Sequence, residues 1–159
     1  LRGRTYLDEW WQAVDTLKRT GVDRKGTISL FDVLELARRN PEAARAGAIV
    51  TFTGMVRGYT HQGQGVEKLE LEAYDDLAEK SLEKISSDLR ARPGVVDVLI
   101  HHLVGTFSIG EDLVYVVALA DSRENAFRTA REAVERYKKE TAVWKKEYLS
   151  NGTSDWVRE

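Results

Sequence analysis

The chain has 159 residues, 42% of them hydrophobic and 31% charged, with 24 Lys and Arg against 26 Asp and Glu. That is the composition of one globular domain or one domain with a short appendage, and a net charge of −2 excludes a surface that grips nucleic acid over its whole extent. The absence of cysteine excludes disulfides, Cys-ligated zinc, thiolate nucleophiles and carried persulfides. The three histidines, His61, His101 and His102, argue against a multi-histidine metal site; no metal is expected, and no cofactor either. No apolar run approaches the ~20 residues of a membrane span. The first residues show no signal-peptide pattern, and Leu1 in place of an initiating Met suggests a trimmed chain. A soluble cytoplasmic protein is expected.

Thr5 with Asp8 at capping-box spacing opens a helix over about 6–19, with Trp10, Trp11, Val14 and Leu17 at helical intervals. Gly21 to Thr27 reads as a charged, Gly-rich loop. Ser29 and Asp32 cap a second helix, which stops at Asn40-Pro41 because the residue before proline is driven out of the helical region. Ala48 to Val56 is β-branched and apolar, a strand. Tyr59 to Gly65 reads as a flexible loop. In Val66 to Tyr74, Leu69, Leu71 and Ala73 alternate with Lys68, Glu70 and Glu72, the pattern of a half-buried strand. A helix follows over about 76–91, with Leu77, Leu82, Ile85 and Leu89 on one face, and Pro93-Gly94 breaks it. Strands over 95–104 and 113–120 flank a turn containing Gly105 and Gly110. By alternation one of His101 and His102 faces outward. The last long helix spans about 123–140, with Phe127, Ala130, Val134 and Tyr137 inward. The tail holds Trp144, a charged run, a turn at Asn151-Gly152, and Trp156. Paired strands between helices predict an α+β fold with an antiparallel or mixed sheet and flanking helices.

Four basic residues stand where sites form. Arg57 ends a strand before a Gly-rich loop, and Arg123 opens the last helix. Lys138 and Lys145 are seven apart, nearly one face of a helix if it continues that far. Converging, they would make a pocket for an anion, with Arg presenting a fork of N–H donors to phosphate. A lysine crowded by cations and partly desolvated titrates nearer neutrality and can serve as a base or nucleophile. Taken singly, each is ordinarily a solvated surface charge, and the two Lys-Lys-Glu segments read as an exposed helix end. Trp144 fits core or interface, and His101 and His102 fit structural roles. His61 lies in a loop within reach of a ligand. The pattern alone stops at an anion-binding α+β domain.

The segment GAIVTFTGMVR (47–57), LELEAY (69–74), Ser122-Arg123 at a helix start, and Lys138 followed by WKKE (144–147) together resemble the large, catalytic subunit of the molybdopterin synthase family. The likeness runs over roughly 28–159, which divides the chain into an N-terminal helical extension (1–27) and a catalytic domain (28–159). The resemblance implies an α/β-hammerhead fold. It also implies transfer of sulfur from the C-terminal Gly-Gly thiocarboxylate of a small ubiquitin-like subunit to cyclic pyranopterin monophosphate, forming the dithiolene of molybdopterin. It implies a homodimer within a heterotetramer, with no nucleic acid and no membrane among its partners. By matched position Lys138 and Lys145 are the catalytic lysines, Arg57 and Arg123 clamp the substrate phosphate and pterin edge, and Ser122 and Phe52 stand with the substrate-binding residues. Ser122 replaces a histidine of many relatives, and Ala142 replaces a proline. The alternative reading is a non-catalytic docking module for the tail of a ubiquitin-like protein.

Overall fold

The computed structural model describes residues 5–158. Helix α1 (Tyr6–Asp15) begins with the expected capping box, in which the Thr5 hydroxyl accepts from the Asp8 amide and the Asp8 carboxylate accepts from the Thr5 amide. It ends four residues sooner than its periodicity suggests. The Thr16 hydroxyl turns back to donate to the Ala13 carbonyl at 2.7 Å, and the chain then extends into strand β1 (Gly21–Arg24). The predicted loop at this point is therefore partly a strand, pairing parallel to β4 (Val95–Ser108) with Gly21 opposite His101. Four residues carrying Asp and Arg give no strand pattern of their own; the pairing comes from β4.

Helix α2 (Leu30–Arg38) carries a second capping box, Ser29 with Asp32. The other oxygen of Asp32 accepts from the Trp10 indole N–H at 2.9 Å, tying α1 to α2. After a short 3-10 turn (Ala43–Arg45) come β2 (Ala48–Met55) and β3 (Val66–Ala73), then α3 (Asp75–Arg90), β4, β5 (Asp112–Ala120) and α4 (Arg123–Glu140). The chain closes with β6 (Val143–Leu149) and β7 (Ser154–Arg158), joined at the expected Asn151-Gly152 turn. The strands form one mixed sheet in the order β2-β5-β4-β3-β6-β7, antiparallel except where β1 joins β4. The α+β reading holds.

Strand β4 organises this sheet. Its first part pairs with β1 and β5, and its last part with β3. Gly105, predicted in a turn, lies inside the strand at the exchange of partners, with φ +131°. An interior glycine lets the strand bend there.

Two apolar layers sandwich the central strands. Val14, Val33, Leu36 and Ala37 of α1 and α2 cover one face with Leu99, Leu103 and Val117. Ala78, Leu82, Ile85 and Leu89 of α3, with Ala133 and Tyr137 of α4, cover the other with Val98, Ile100 and Val116. Because both faces are covered, His101 and His102 are both fully buried, contrary to the expectation that one faces water. His101 is bonded to the Asp23 carboxylate at 2.8 Å and the Arg19 carbonyl at 3.0 Å. The His102 ring packs edge-on against Tyr137 at 5.7 Å. Leu77 and Phe127, expected inward, are 57% and 64% exposed; Ala78 and Ala126 are buried in their place.

Candidate functional site

Three separate elements deliver side chains to one cavity of ≈ 530 Å³. The first is the end of β2. A register shift between Gly54 and Met55 marks a bulge in its pairing with β5, and bulges re-aim the residues that follow. Val56 is then pinned, its amide donating to the Glu111 carbonyl at 3.0 Å and its carbonyl accepting from the Gly110 amide at 2.9 Å. Glu111 is itself anchored by Lys25 and the Ser108 amide, which hold its carboxyl below the usual range. Arg57 leaves this fixed point and enters the cavity wall.

The loop after Arg57 is closed rather than free. Val66 donates to the Gly58 carbonyl at 2.9 Å, Thr60 to the Gln64 carbonyl at 2.8 Å, and Gly63 to the Thr60 carbonyl at 3.0 Å. This small hairpin sets Tyr59, Thr60, His61 and Gln62 along the cavity. Arg57 Nη2 and His61 Nε2 are 3.1 Å apart.

The second element is the last turn of α4. Tyr137 is buried, and the cavity reaches its side chain; Lys138, next in sequence, is exposed and also lines the cavity. The third is β6. Helix α4 ends at Glu140, and Thr141 is extended and buried, so Lys145 does not continue a helical face as supposed. Strand alternation puts it across from Leu71, with Glu147 across from Leu69, and both line the cavity. Their side chains pair at 3.4 Å, so Glu147 holds the Lys145 ammonium. The opposite face of β6 carries Trp144, Lys146 and Tyr148. Trp144 is 48% exposed rather than core. The Tyr148 hydroxyl donates to Glu70 at 2.7 Å, and that carboxylate raises its pKa.

Phe52 completes the wall, half-buried and packed against the core layer beneath α3 and α4. Phe52, Arg57, Lys138 and Lys145 thus come together. Ser122 and Arg123 do not line this cavity. They open α4, where the Ser122 hydroxyl caps the helix by accepting from the Asn125 amide. Arg123 precedes Lys138 by 15 residues on one helix, a separation of roughly 22 Å at 1.5 Å per residue. Glu147 was missed from the sequence, although the alternation of a strand over 143–149 pairs it with Lys145.

The arrangement suits an anionic ligand. Three cations from three elements, Arg57, Lys138 and Lys145, share a wall with one carboxylate, Glu147, and an apolar flank of Phe52, Val66, Leu69 and Leu113. Among the described residues, no group of three or more His, Asp or Glu side chains could hold a metal ion, and no helix is long and apolar enough to cross a membrane.

Comparison with known proteins agrees in sequence and in fold. The chain is 43% identical over 133 residues to the probable molybdopterin synthase of Haloferax volcanii, a match that covers 83% of this chain but 51% of that protein. It is 38% identical over 131 residues to the molybdopterin synthase catalytic subunit of a Nostoc species, covering 82% of this chain and 76% of the relative. The crystal structure of molybdopterin synthase from Staphylococcus aureus superposes with a TM-score of 0.79 at 30% identity, over 90% of this chain and 99% of that one. A family model described as MoaE protein matches residues 25–140, and the chain belongs to that family.

Proposed function

We propose that the chain is the catalytic subunit of a molybdopterin synthase. It transfers sulfur from the C-terminal thiocarboxylate of a small ubiquitin-like subunit to cyclic pyranopterin monophosphate and so forms the dithiolene of molybdopterin. One observation carries the reading: Arg57, Lys138 and Lys145 converge from three elements on a single cavity in a chain of this family. A sulfur-transfer enzyme without a thiol of its own needs a carrier to bring the sulfur, and this chain has no cysteine. The cytoplasm is the expected compartment, and residues 28–159 carry the activity with 1–27 as an extension.

In this reading the exposed Lys138 ammonium stands at the reacting centre. It serves as an acid–base group, or, once it has given up a proton, its amine attacks the acyl carbon of the partner's terminal glycine, the C–N bond forming as the C–S bond breaks and the sulfur staying with the substrate. Lys145, held by Glu147, orients the tail carboxylate or the phosphate. Arg57 clamps the phosphate with its forked donors, and Phe52 shapes the pocket beside it. Arg123 and Ser122 cannot serve the cavity of their own chain from the far end of α4, so their substrate role falls to the cavity of a second copy in the implied homodimer.

The test is a single-turnover assay with thiocarboxylated small subunit and cyclic pyranopterin monophosphate, reading molybdopterin as its fluorescent oxidised derivative. Wild-type protein yields product, and Lys138→Ala lowers the rate by about 10²–10⁴-fold while remaining folded. Near-normal turnover by Lys138→Ala removes that assignment. Tight binding of the partner's tail without product from the wild-type protein establishes the docking-module reading instead.

A further inference from the structure

An aromatic ring in a binding cavity can meet a ligand face to face only where the protein leaves that face bare. Phe52, Tyr59 and Tyr137 line the cavity. Tyr137 is 2% exposed, and its ring packs edge-on against His102. Phe52 packs into the layer beneath α3 and α4, and its ring lies 3.6 Å from the place that a Cβ on Gly54 would take. Tyr59, by contrast, is 68% exposed.

The backbone that carries Tyr59 is nevertheless held on both sides. Tyr59 forms an antiparallel bridge to Gly65. The Gly65 carbonyl accepts from the Ser150 amide at 3.0 Å, at the turn between β6 and β7. A Cβ at position 65 would stand 2.6 Å from the Ser150 hydroxyl oxygen, so the loop lies close against that turn. On the other side the Thr60 hydroxyl accepts from the Gln64 amide at 3.1 Å, beside the backbone bond that already joins the two residues. The ring is bare while its backbone is fixed, which spares a ligand the cost of ordering the loop.

Tyr59 also stands beside the proposed phosphate clamp. Two residues of chain span at most about 7 Å, so the Cα atoms of Arg57 and Tyr59 lie within that distance, and both side chains line the one cavity. Cyclic pyranopterin monophosphate joins its phosphate through fused rings to the flat pyrimidine of the pterin. It therefore offers an anionic end and a stackable face in rigid connection. We propose that Tyr59 is the platform on which the pterin stacks while Arg57 holds the phosphate. The stack orients the ring within the cavity and favours a flat heterocycle over a saturated group of the same charge. No bond of the ligand forms or breaks in this step. The proposal rests on the substrate reading given above.

The test is binding of cyclic pyranopterin monophosphate to the full chain, followed by calorimetry and by the near-ultraviolet absorbance of the pterin, which falls when its ring stacks. Wild-type protein binds the substrate and lowers that absorbance. Tyr59→Phe keeps both the affinity and the spectral change, because the ring alone carries the stack. Tyr59→Leu, apolar but without a ring, binds at least about fivefold more weakly, the low end for one stacked base, and loses the spectral change. A residue that only held the loop would leave the spectrum of the bound pterin the same in every variant. If Tyr59→Leu matches wild type in affinity and spectrum, or if Tyr59→Phe is as impaired as Tyr59→Leu, the proposal is overturned and the function stands. If the wild-type protein fails to bind the substrate, the substrate reading falls and takes this proposal with it.

Discussion

At the scale of single residues, the cavity divides its cations by how they are held. Lys145 is paired with Glu147, Arg57 lies 3.1 Å from the His61 ring, and Lys138 projects exposed from the last turn of its helix. Removing a held cation should cost binding more than chemistry. Arg57→Ala is expected to raise the apparent KM about tenfold, the loss of one charge-assisted hydrogen bond, with a smaller change in kcat. Unchanged affinity would remove the phosphate from Arg57. The sequence singled out Lys138, Lys145 and Arg57 through their matched positions, and Phe52 through its place two residues before Gly54 on the same strand. It hid the company they keep. Glu147 went unread because the segment 138–147 was weighed as one helix, in which Lys145 and Glu147 diverge by about 200°; on a strand they share a face.

At the scale of elements, caps and strand alternation were legible because they are local. Both Thr5–Asp8 and Ser29–Asp32 form the predicted reciprocal boxes, and β3 exposes and buries its residues as its alternation requires. Helix faces were legible only to within one residue. In α3 the buried line runs Ala78, Leu82, Ile85, Leu89, and in α4 it runs Ala126, Ala130, Ala133, Tyr137. Each leaves out a larger neighbour, Leu77 or Phe127, that hydrophobicity alone would choose. Small residues at these positions let the helices lie close to the sheet, and nothing local signals that choice. The first segment of the chain is held by polar contacts that the sequence could not reveal. Asp97 at the start of β4 has no exposed surface, and it accepts from the Arg19 guanidinium, from Asn40 Nδ2 at 2.8 Å and from the Val98 amide at 2.9 Å. Asp97→Ala strands these donors and loosens the link from β4 to residues 19 and 40. It is expected to destabilise the fold by about 3 kcal/mol in denaturant titration, the low end for breaking a buried ion pair. A loss below about 1 kcal/mol would show that the α1 and α2 layer is held by its apolar contacts alone.

At the scale of the whole molecule, ion pairs on the outer surface run along α4 and from α4 to α3 and the turn that follows it. Arg136 reaches Glu140 at 2.7 Å and Asp88 at 2.9 Å, and Arg92 pairs with Glu132. Glu140 is held below the ordinary carboxylate range by Arg136, Glu132 by Arg92, and Asp88 by Lys84 and then Arg136. With folded-state values depressed, this stabilisation is fully present above the unfolded carboxylate range, about pH 4, and is lost as pH falls through the lower folded values. Thermal melts should therefore show Tm falling below about pH 4, with a shallower acid decline in Arg136→Gln. An unchanged decline in that variant would assign the acid sensitivity elsewhere. The placement of Arg123 gives a second test at this scale. If the proposed homodimer forms, mixing Lys138→Ala with Arg123→Ala subunits gives hybrid dimers that regain up to about half of wild-type activity only when Arg123 serves its partner's cavity. If both residues serve one chain, no hybrid contains an intact site, and mixing restores nothing.

The parallel pairing of β1 with β4 also has a consequence in time. Gly21 meets His101, 80 residues further along. At a synthesis rate of roughly 5–20 residues per second, β1 leaves the ribosome about 4–16 s before its partner strand has been made. Over that interval Val14 and Val22, both buried in the finished fold, have no β4 to cover them. The nascent chain therefore spends seconds with an unpaired edge and bare apolar surface, and that is the stage of its life at which a chaperone would find it.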